Sequence, residues 1–334
     1  MKFGRGGLIW AGIVPAALVV FALVSLMLLA PFSGKRHDAV SQRRQQGHPH
    51  ALSSRQGPIP IGRHSGVTYR RGSCLKFPPR TPSRHETVFL DAGHGGPDPG
   101  TAGITSSRRT VLEKNLTLDV AMQARRLLVT HGYTVVMSRT RDTFVAGGPG
   151  MLHHLRPLTA TEIGRDLRAR ITCSNVARAD VFISIHMNGF SWPSVGGAET
   201  LYCSDRPFHR KSRRLGEAVE RQVVAALRAA GWRVYERGVV DDLGKGSPGL
   251  SARAREYDHL LELGPKFPHL LKHPTAMPGV ILEPLFITNP GESDIAVSRK
   301  GQRAIAQGVL HAADNYFGST RTDASPPSRR AGTR

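Results

Sequence analysis

Cysteine is scarce in this chain, with three in 334 residues: Cys74, Cys173 and Cys203. No CxxC or finger-like spacing joins them, which excludes a zinc knuckle and a thioredoxin-type redox motif. An odd count leaves at least one thiol unpaired. A Cys173–Cys203 disulfide and small buried thiols both stay open, because pairing depends on geometry. Acidic residues are also few, 25 against 46 Lys and Arg, for a formal net charge of +21. Such a balance can mark nucleic-acid binding, but no helix-turn-helix, RNA-binding or finger pattern accompanies it. The distribution argues the same way. Segment 33–84 holds two Lys, nine Arg and one Asp, the tail 318–334 holds four Arg and one Asp, and residues 1–32 add two cations. Only +6 remains for the long middle. The basicity therefore lies in flanking arms that suit anionic lipid heads or wall polymers rather than DNA. The metalloprotease signature HExxH is absent as well.

Leu8 to Phe32 is almost wholly apolar and free of charge, with Lys2 and Arg5 ahead of it. A run of that length can cross the hydrocarbon core of a bilayer as a helix. The leading cations favour a cytoplasmic N-terminus and an exported remainder, although Lys35 and Arg36 weaken the bias. An uncleaved anchor in the cytoplasmic membrane is preferred on length to a cleaved signal, and either places the rest in the cell envelope. Residues 33–84 are rich in Arg, Gln, Ser, Gly and Pro without apolar periodicity, which predicts a basic disordered linker. Residues 318–334 read as a disordered tail. One folded domain, 85–317, remains.

Within it, Thr87–Asp91 reads as a strand that breaks into Ala-Gly-His-Gly-Gly. Glu113–His131 has helical spacing and a Gly132 stop, and Tyr133–Met137 reads as a strand followed by a turn over 138–142. Arg165–Ala177 predicts a helix, Val181–Ile185 a strand, Arg213–Ala230 a helix stopped by Gly231, Val280–Leu282 a strand, and Arg303–Tyr316 a closing helix. Strands alternating with helices predict an α/β fold, a single domain whose mainly parallel mixed sheet is flanked by helices on both faces.

Three strand ends carry polar groups: His94, His186 and Glu283. The cleft beyond the carboxyl ends of the strands is where ligands bind in such sheets. Glu113, opening the first long helix, is a fourth candidate. Two His and one carboxylate match an open catalytic zinc set, and a second carboxylate can take a proton from the activated water. A satisfied structural His is the commoner fate of any one of the 15 in the chain. The His153–His154 pair is discounted, because adjacent side chains on an extended loop diverge.

Five segments then occur in one order: LDAGHGGPDPG (90–100), LEKNLTL (112–118), SRTRD (138–142), ADVFISIHMNG (179–189) and ILEPLFITNP (281–290). Together they resemble the zinc-dependent N-acetylmuramoyl-L-alanine amidases of the AmiC catalytic type, over about 85–317. The resemblance implies Zn2+ held by His94, Glu113 and His186. It implies Glu283 as the catalytic carboxylate, and hydrolysis of the bond between N-acetylmuramic acid and L-alanine in peptidoglycan. Whether a protein activator is needed stays open, and no nucleic-acid partner is expected. A wall-binding domain that does not cut is the alternative, and the intact set of two His and two Glu argues against it. Asn188 either contacts substrate or forms a turn. Arg170 and Asn175 are expected to brace structure, and Asp91 either orients His94 or ends its strand. Two departures stand out. Pro284-Leu285 replaces the family's usual glycine two residues after the catalytic Glu. Val240–Met277 is long, containing Arg253, Arg255, Glu256 and Asp258, and reads as a groove wall, a regulatory element or a surface insertion.

Overall fold

The computed structural model describes residues 57–62, 67–148, 158–245 and 256–323, with only the backbone of residues 321–323. They belong to the second of two units into which the chain divides, 53–334. The expected membrane run 8–32 and the His153–His154 pair lie outside the described residues. Among those described, no helix is long and apolar enough to cross a membrane.

The short apolar runs form strands whose alternate residues face opposite sides, as period-two geometry requires. The strands are β1 (Ile59–Pro60), β2 (Ser73–Phe77), β3 (Thr87–Ala92), β4 (Ala102–Ile104), β5 (Thr110–Leu112), β6 (Thr134–Arg139), β7 (Val181–Ile185), β8 (Ala198–Tyr202), β9 (Glu236–Asp241) and β10 (Gly279–Glu283). Helices are α1 (Glu113–Thr130), α2 (Ala160–Val176), α3 (His209–Ala229), α4 (Pro290–Val297) and α5 (Arg299–Asp323). Eight strands make one sheet in the order β1-β2-β6-β3-β7-β10-β8-β9, while β4 and β5 form a separate hairpin. The centre, β6-β3-β7-β10, is parallel, and β8 and β2 join it antiparallel. The expected mixed α/β sheet is therefore present.

The two faces are covered differently. Val88, Leu90, Val135, Met137, Ile183, Ile185, Val280 and Leu282 pack in one core with residues of α1, α3 and α5. Their neighbours Phe89, Val136 and Phe182 point the other way, with Cys74, Cys173 and Met277. Phe89 and Phe182 stack there at 5.2 Å between ring centroids. This second face has one helix, α2, and the irregular segment 256–278, whose Tyr257, Leu261 and Leu271 pack on Ile171. Burial of each such side chain contributes about 1.5–3 kcal/mol, so 256–278 is part of the core and not a surface insertion. Arg253 and Arg255 of the longer 240–277 stretch lie outside the described residues.

Both predicted glycine stops occur. Gly132 and Gly231 sit at φ 92° and 97°. The next residue's N–H reaches back five residues in each case, Tyr133 to Leu128 O at 3.1 Å and Trp232 to Leu227 O at 3.2 Å, as in a Schellman closure. α2 starts earlier than expected, because Thr159 and Glu162 form a reciprocal capping box. α5 runs on through 318–323, into the expected tail. The strand expected to end at Met137 continues to Arg139.

The disordered-linker boundary at 84 is corrected: β1 and β2 lie inside it, and β2 pairs antiparallel with β6. The cysteine pairing is corrected too. Cys74 of β2 is bonded to Cys173 of α2, and Cys203 is free and buried. Apolar packing of Cys74 beside α2, which periodicity in a five-residue strand could not announce, brings the two sulfurs together. A cross-link spanning 99 residues removes much chain entropy from the unfolded state. Replacing both Cys74 and Cys173 by Ser is expected to lower unfolding free energy by about 2–5 kcal/mol in denaturant titration. An unchanged midpoint would show that the bridge carries no stability.

Candidate functional site

β3, β7 and β10 are parallel neighbours, so their carboxyl ends open on one edge of the sheet. His94 lies two residues beyond β3, His186 one residue beyond β7, and Glu283 ends β10. Glu113 arrives from the opposite direction, at the first turn of α1. That helix has no side-chain N-cap. Instead the glycine-rich loop supplies acceptors: Glu113 N–H donates to Thr101 O at 3.0 Å and Lys114 N–H to Pro99 O at 3.1 Å. The first turn is thereby fixed over the loop and the Glu113 side chain is left for the site.

Glu113 Oε1 stands 3.1 Å from His94 Nε2 and 3.0 Å from His186 Nδ1, and accepts from Met187 N–H at 2.9 Å. Its Oε2 accepts from Thr101 N–H at 2.8 Å. The two imidazoles meet edge to face, 4.8 Å between centroids. Two ring nitrogens and one carboxylate oxygen thus lie within 4.8 Å of one another. Glu113 is buried, while the side chains of His94 and His186 keep 23% and 16% exposure, so the cluster is open on one side. The loop must come very close to achieve this. A Cβ on Gly93 would strike His186 Nε2, and one on Gly100 would lie 2.6 Å from Glu113 Oε2. His94 itself is held at φ 60°, a conformation that strains a side-chain-bearing residue.

Two buried arginines hold that loop. Arg139 donates from Nε to Ala92 O at 2.9 Å, and from Nη2 to Gly93 O at 2.8 Å and Lys114 O at 2.7 Å. Arg170 donates from Nη1 to Ala92 O at 2.8 Å and from Nη2 to His94 O at 2.6 Å. Arg170 is paired with Asp91 at 2.7 Å and Asp166 at 2.8 Å. Beyond His94, Lys114 Nζ reaches Gly96 O at 2.7 Å and Asp142 Oδ2 at 2.8 Å.

Electrostatics follow from burial and these neighbours. Burial opposes charge on Glu113, but the two imidazoles outweigh it and hold the carboxyl well below its usual range. Burial likewise opposes an imidazolium at His94, yet Glu113 and Asp98 raise it to about 10. Glu283 goes the other way. Burial, with Glu113 and Glu199 nearby, raises its carboxyl to about 7 against the opposing pull of His186. A carboxyl at that level can give or take a proton near neutrality.

Residues 88–315 match the N-acetylmuramoyl-L-alanine amidase family. The chain belongs to that family. A germination-specific N-acetylmuramoyl-L-alanine amidase of Bacillus subtilis is 27% identical over 236 residues, covering 71% of this chain and 81% of the relative. The amidase AmiA of Escherichia coli is 28% identical over 250 residues, covering 69% and 75%. Among solved structures, an N-acetylmuramoyl-L-alanine amidase from Clostridium difficile 630 superposes with a TM-score of 0.50 at 26% identity, covering 71% of this chain and 99% of that one. The CwlD amidase of Clostridioides difficile, solved in complex with the GerS lipoprotein, shares the fold with a TM-score of 0.53 at 22% identity, covering 70% and 100%.

In this amidase-family domain the side chains around the cluster take roles that the sequence left open. Asp91 does not touch His94: its oxygens accept from Arg170 and from Ser184 Oγ at 2.7 Å. The carboxylate on His94 is Asp98, with Oδ2 2.9 Å from Nδ1. It sits four residues on, inside the glycine-rich motif, where that spacing was visible. Arg170 braces, as expected, and so does Asn175, which bonds Pro274 O at 3.0 Å and Ala276 N–H at 2.8 Å. Asn188 sits in no turn: its N–H donates to Leu285 O at 2.9 Å and its O accepts from Ile287 N–H at 2.9 Å, pairing it with the chain after β10, while its Oδ1 accepts from Gly189 N–H at 2.8 Å. Glu262 was missed. Buried at 5% exposure in 256–278, it lies with Asp91 beside the imidazole of His186, whose buried Nε2 has no hydrogen-bond partner among the described residues. No local pattern separated it from the other charged residues of its segment.

Removing the Arg170 clamp leaves Asp91 and Asp166 buried without their partner. Arg170→Met is expected to cost about 3–5 kcal/mol in denaturant unfolding. A loss below about 1 kcal/mol, the range of an exposed pair, would mean that the site loop is held by other contacts.

Proposed function

We propose that this chain uses zinc to hydrolyse the amide between N-acetylmuramic acid and the L-alanine of the peptide stem in peptidoglycan. One observation carries the proposal. Two imidazole nitrogens from adjacent strand ends converge on one Glu113 oxygen, and Glu283 closes the next strand along.

His94, Glu113 and His186 would hold the metal through Nε2, Oε1 and Nδ1. The donor set fits: two imidazoles and a carboxylate are the composition of open catalytic zinc sites, and the present 3.0–3.1 Å separations need only a small opening. When bound, zinc supplies a Lewis acid that acidifies water and polarises a carbonyl. Glu283, the neighbouring carboxyl, takes the proton of the attacking water and returns it to the departing amine. Asp98 fixes the His94 ring by accepting from Nδ1, so that Nε2 is presented to the metal. Arg139 and Arg170 hold the backbone that carries His94.

Action outside the cytoplasmic membrane accords with three features. The substrate bond is in the wall, the apolar run 8–32 can direct export as an anchor or a cleaved signal, and the Cys74–Cys173 bridge suits an oxidising compartment.

His94→Ala and His186→Ala are expected to lose bound zinc and activity on purified wall together. Glu283→Gln should keep zinc and lose about 10²–10⁴ in turnover. Metal loss in Glu283→Gln would reassign that residue as a ligand. The titration of His94 adds a second expectation. In the metal-free site its proton persists up to about 10, and zinc must displace it. Apparent zinc affinity should therefore rise with pH, approaching tenfold per unit across the neutral range and levelling near pH 10, in chelator competition. A pH-independent affinity would show that His94 binds zinc without releasing a proton.

A further inference from the structure

A second convergence of metal-type donors lies away from the amidase centre. Cys203 follows β8 and Asp242 follows β9, parallel neighbours in continuous register from Glu199 to Tyr202. Their ends are tied by Asp242 N–H donating to Tyr202 O at 2.8 Å. His259 comes to them from segment 256–278. All three are buried, at 2%, 0% and 5% exposure. His259 Nδ1 is 2.9 Å from Asp242 Oδ1 and 3.6 Å from Cys203 Sγ, and the three donor atoms lie within 4.8 Å of one another.

The arrangement is not a thiol–imidazole–carboxylate relay. Such a relay places the sulfur and the carboxylate on opposite ring nitrogens, whereas here both face Nδ1. A shared centre is the geometry of a metal site. With zinc–sulfur and zinc–nitrogen bonds of about 2.3 and 2.1 Å at a tetrahedral angle, sulfur and nitrogen stand about 3.6 Å apart, the separation seen here. The carboxylate would open by about half an ångström to reach the same geometry. The outer contacts also fit. Asp242 Oδ2 accepts from Leu260 N–H at 3.0 Å, leaving Oδ1 for the centre. On the far side of the ring, His259 Nε2 faces Asp205 Oδ2 at 3.5 Å, the carboxylate backing that ligating imidazoles commonly have. All three donors are buried, and a thiolate and a carboxylate brought this close together out of water are costly with no cation between them. A divalent cation reverses that cost.

We propose that Cys203, Asp242 and His259 form a second, structural site for a thiophilic divalent cation of the zinc class, with water as a fourth ligand. The ion would join the ends of β8 and β9 to segment 256–278. Three residues beyond His259, that segment places Glu262 beside His186, so loading the second site secures one wall of the first.

The sites are distinguishable because Cys203 is the one thiol outside the disulfide, and the amidase centre contains no sulfur. The full chain is expected to carry about two equivalents of zinc, and the His94→Ala/His186→Ala chain about one. Cobalt in place of zinc should give thiolate-to-cobalt charge-transfer absorption in both proteins, absent from Cys203→Ser. Chelation should lower the thermal midpoint of the His94→Ala/His186→Ala chain but leave that chain unchanged when it also carries Cys203→Ser. Should the double variant fail to fold, the cobalt spectrum of the unaltered chain decides by itself. Absence of thiolate absorption there, with about one zinc per chain, would overturn the proposal and leave a hydrogen-bonded Cys–Asp–His group.

Discussion

Two buried guanidinium groups fix three consecutive carbonyls, those of Ala92, Gly93 and His94, and the site depends on them. The loop turns abruptly out of β3, places His94 at positive φ and brings Gly93 against the ring of His186. Its carbonyls point inward, away from water, and unpaired they would each cost about 1–3 kcal/mol. Arg139 and Arg170 supply charged donors in a planar fork that lysine could not reproduce. Their own burial is balanced unequally. Arg170 has Asp91 and Asp166, which hold its charge firmly. Arg139 relies on carbonyls, and burial beside Arg170 lowers it to about 10. A strained loop can persist where its surroundings over-determine it, and here the surroundings are two cations from β6 and α2.

Glu113 makes the second half of the site from the opposite side. The loop caps the backbone of α1, so the Glu113 side chain is spent on two imidazoles and two backbone N–H groups. That carboxylate and Asp98 favour the protonated imidazole of His94, and the same preorganised negative group is what a metal ion at the proposed centre would meet. Glu283 differs because burial and like charge leave it near neutrality, where proton transfer in both directions is accessible.

The long segment before β10 shows how covering a sheet becomes part of building a site. Three helices cover one face, but α2 alone cannot cover the other. Residues 256–278 complete it with Tyr257, Leu261, Leu263 and Met277, and in doing so place Glu262 behind His186. Packing and site geometry are therefore one constraint there, and the same segment carries His259 to the ends of β8 and β9.

The sequence by itself determined the elements with strong local signals. The β3, β7 and β10 runs are continuous apolar stretches, α1 and α3 carry a helical period with a glycine stop, and three strand ends each display a chemically active side chain. Those features announce the sheet edge and the residues upon it, because period and punctuation are local properties. Other features were hidden for equally physical reasons. β2 lies in an Arg- and Pro-rich stretch, and β8 and β9 are short and polar enough to pass for loops. The start of α2 was legible in Thr159 and Glu162, a capping signal weaker than the apolar run that followed it. Only the tertiary structure decided that Cys74 pairs with Cys173, that Asp98 and not Asp91 serves His94, and that Glu262 stands behind His186. Each depends on which distant side chain occupies a given volume, and spacing along a chain does not encode that.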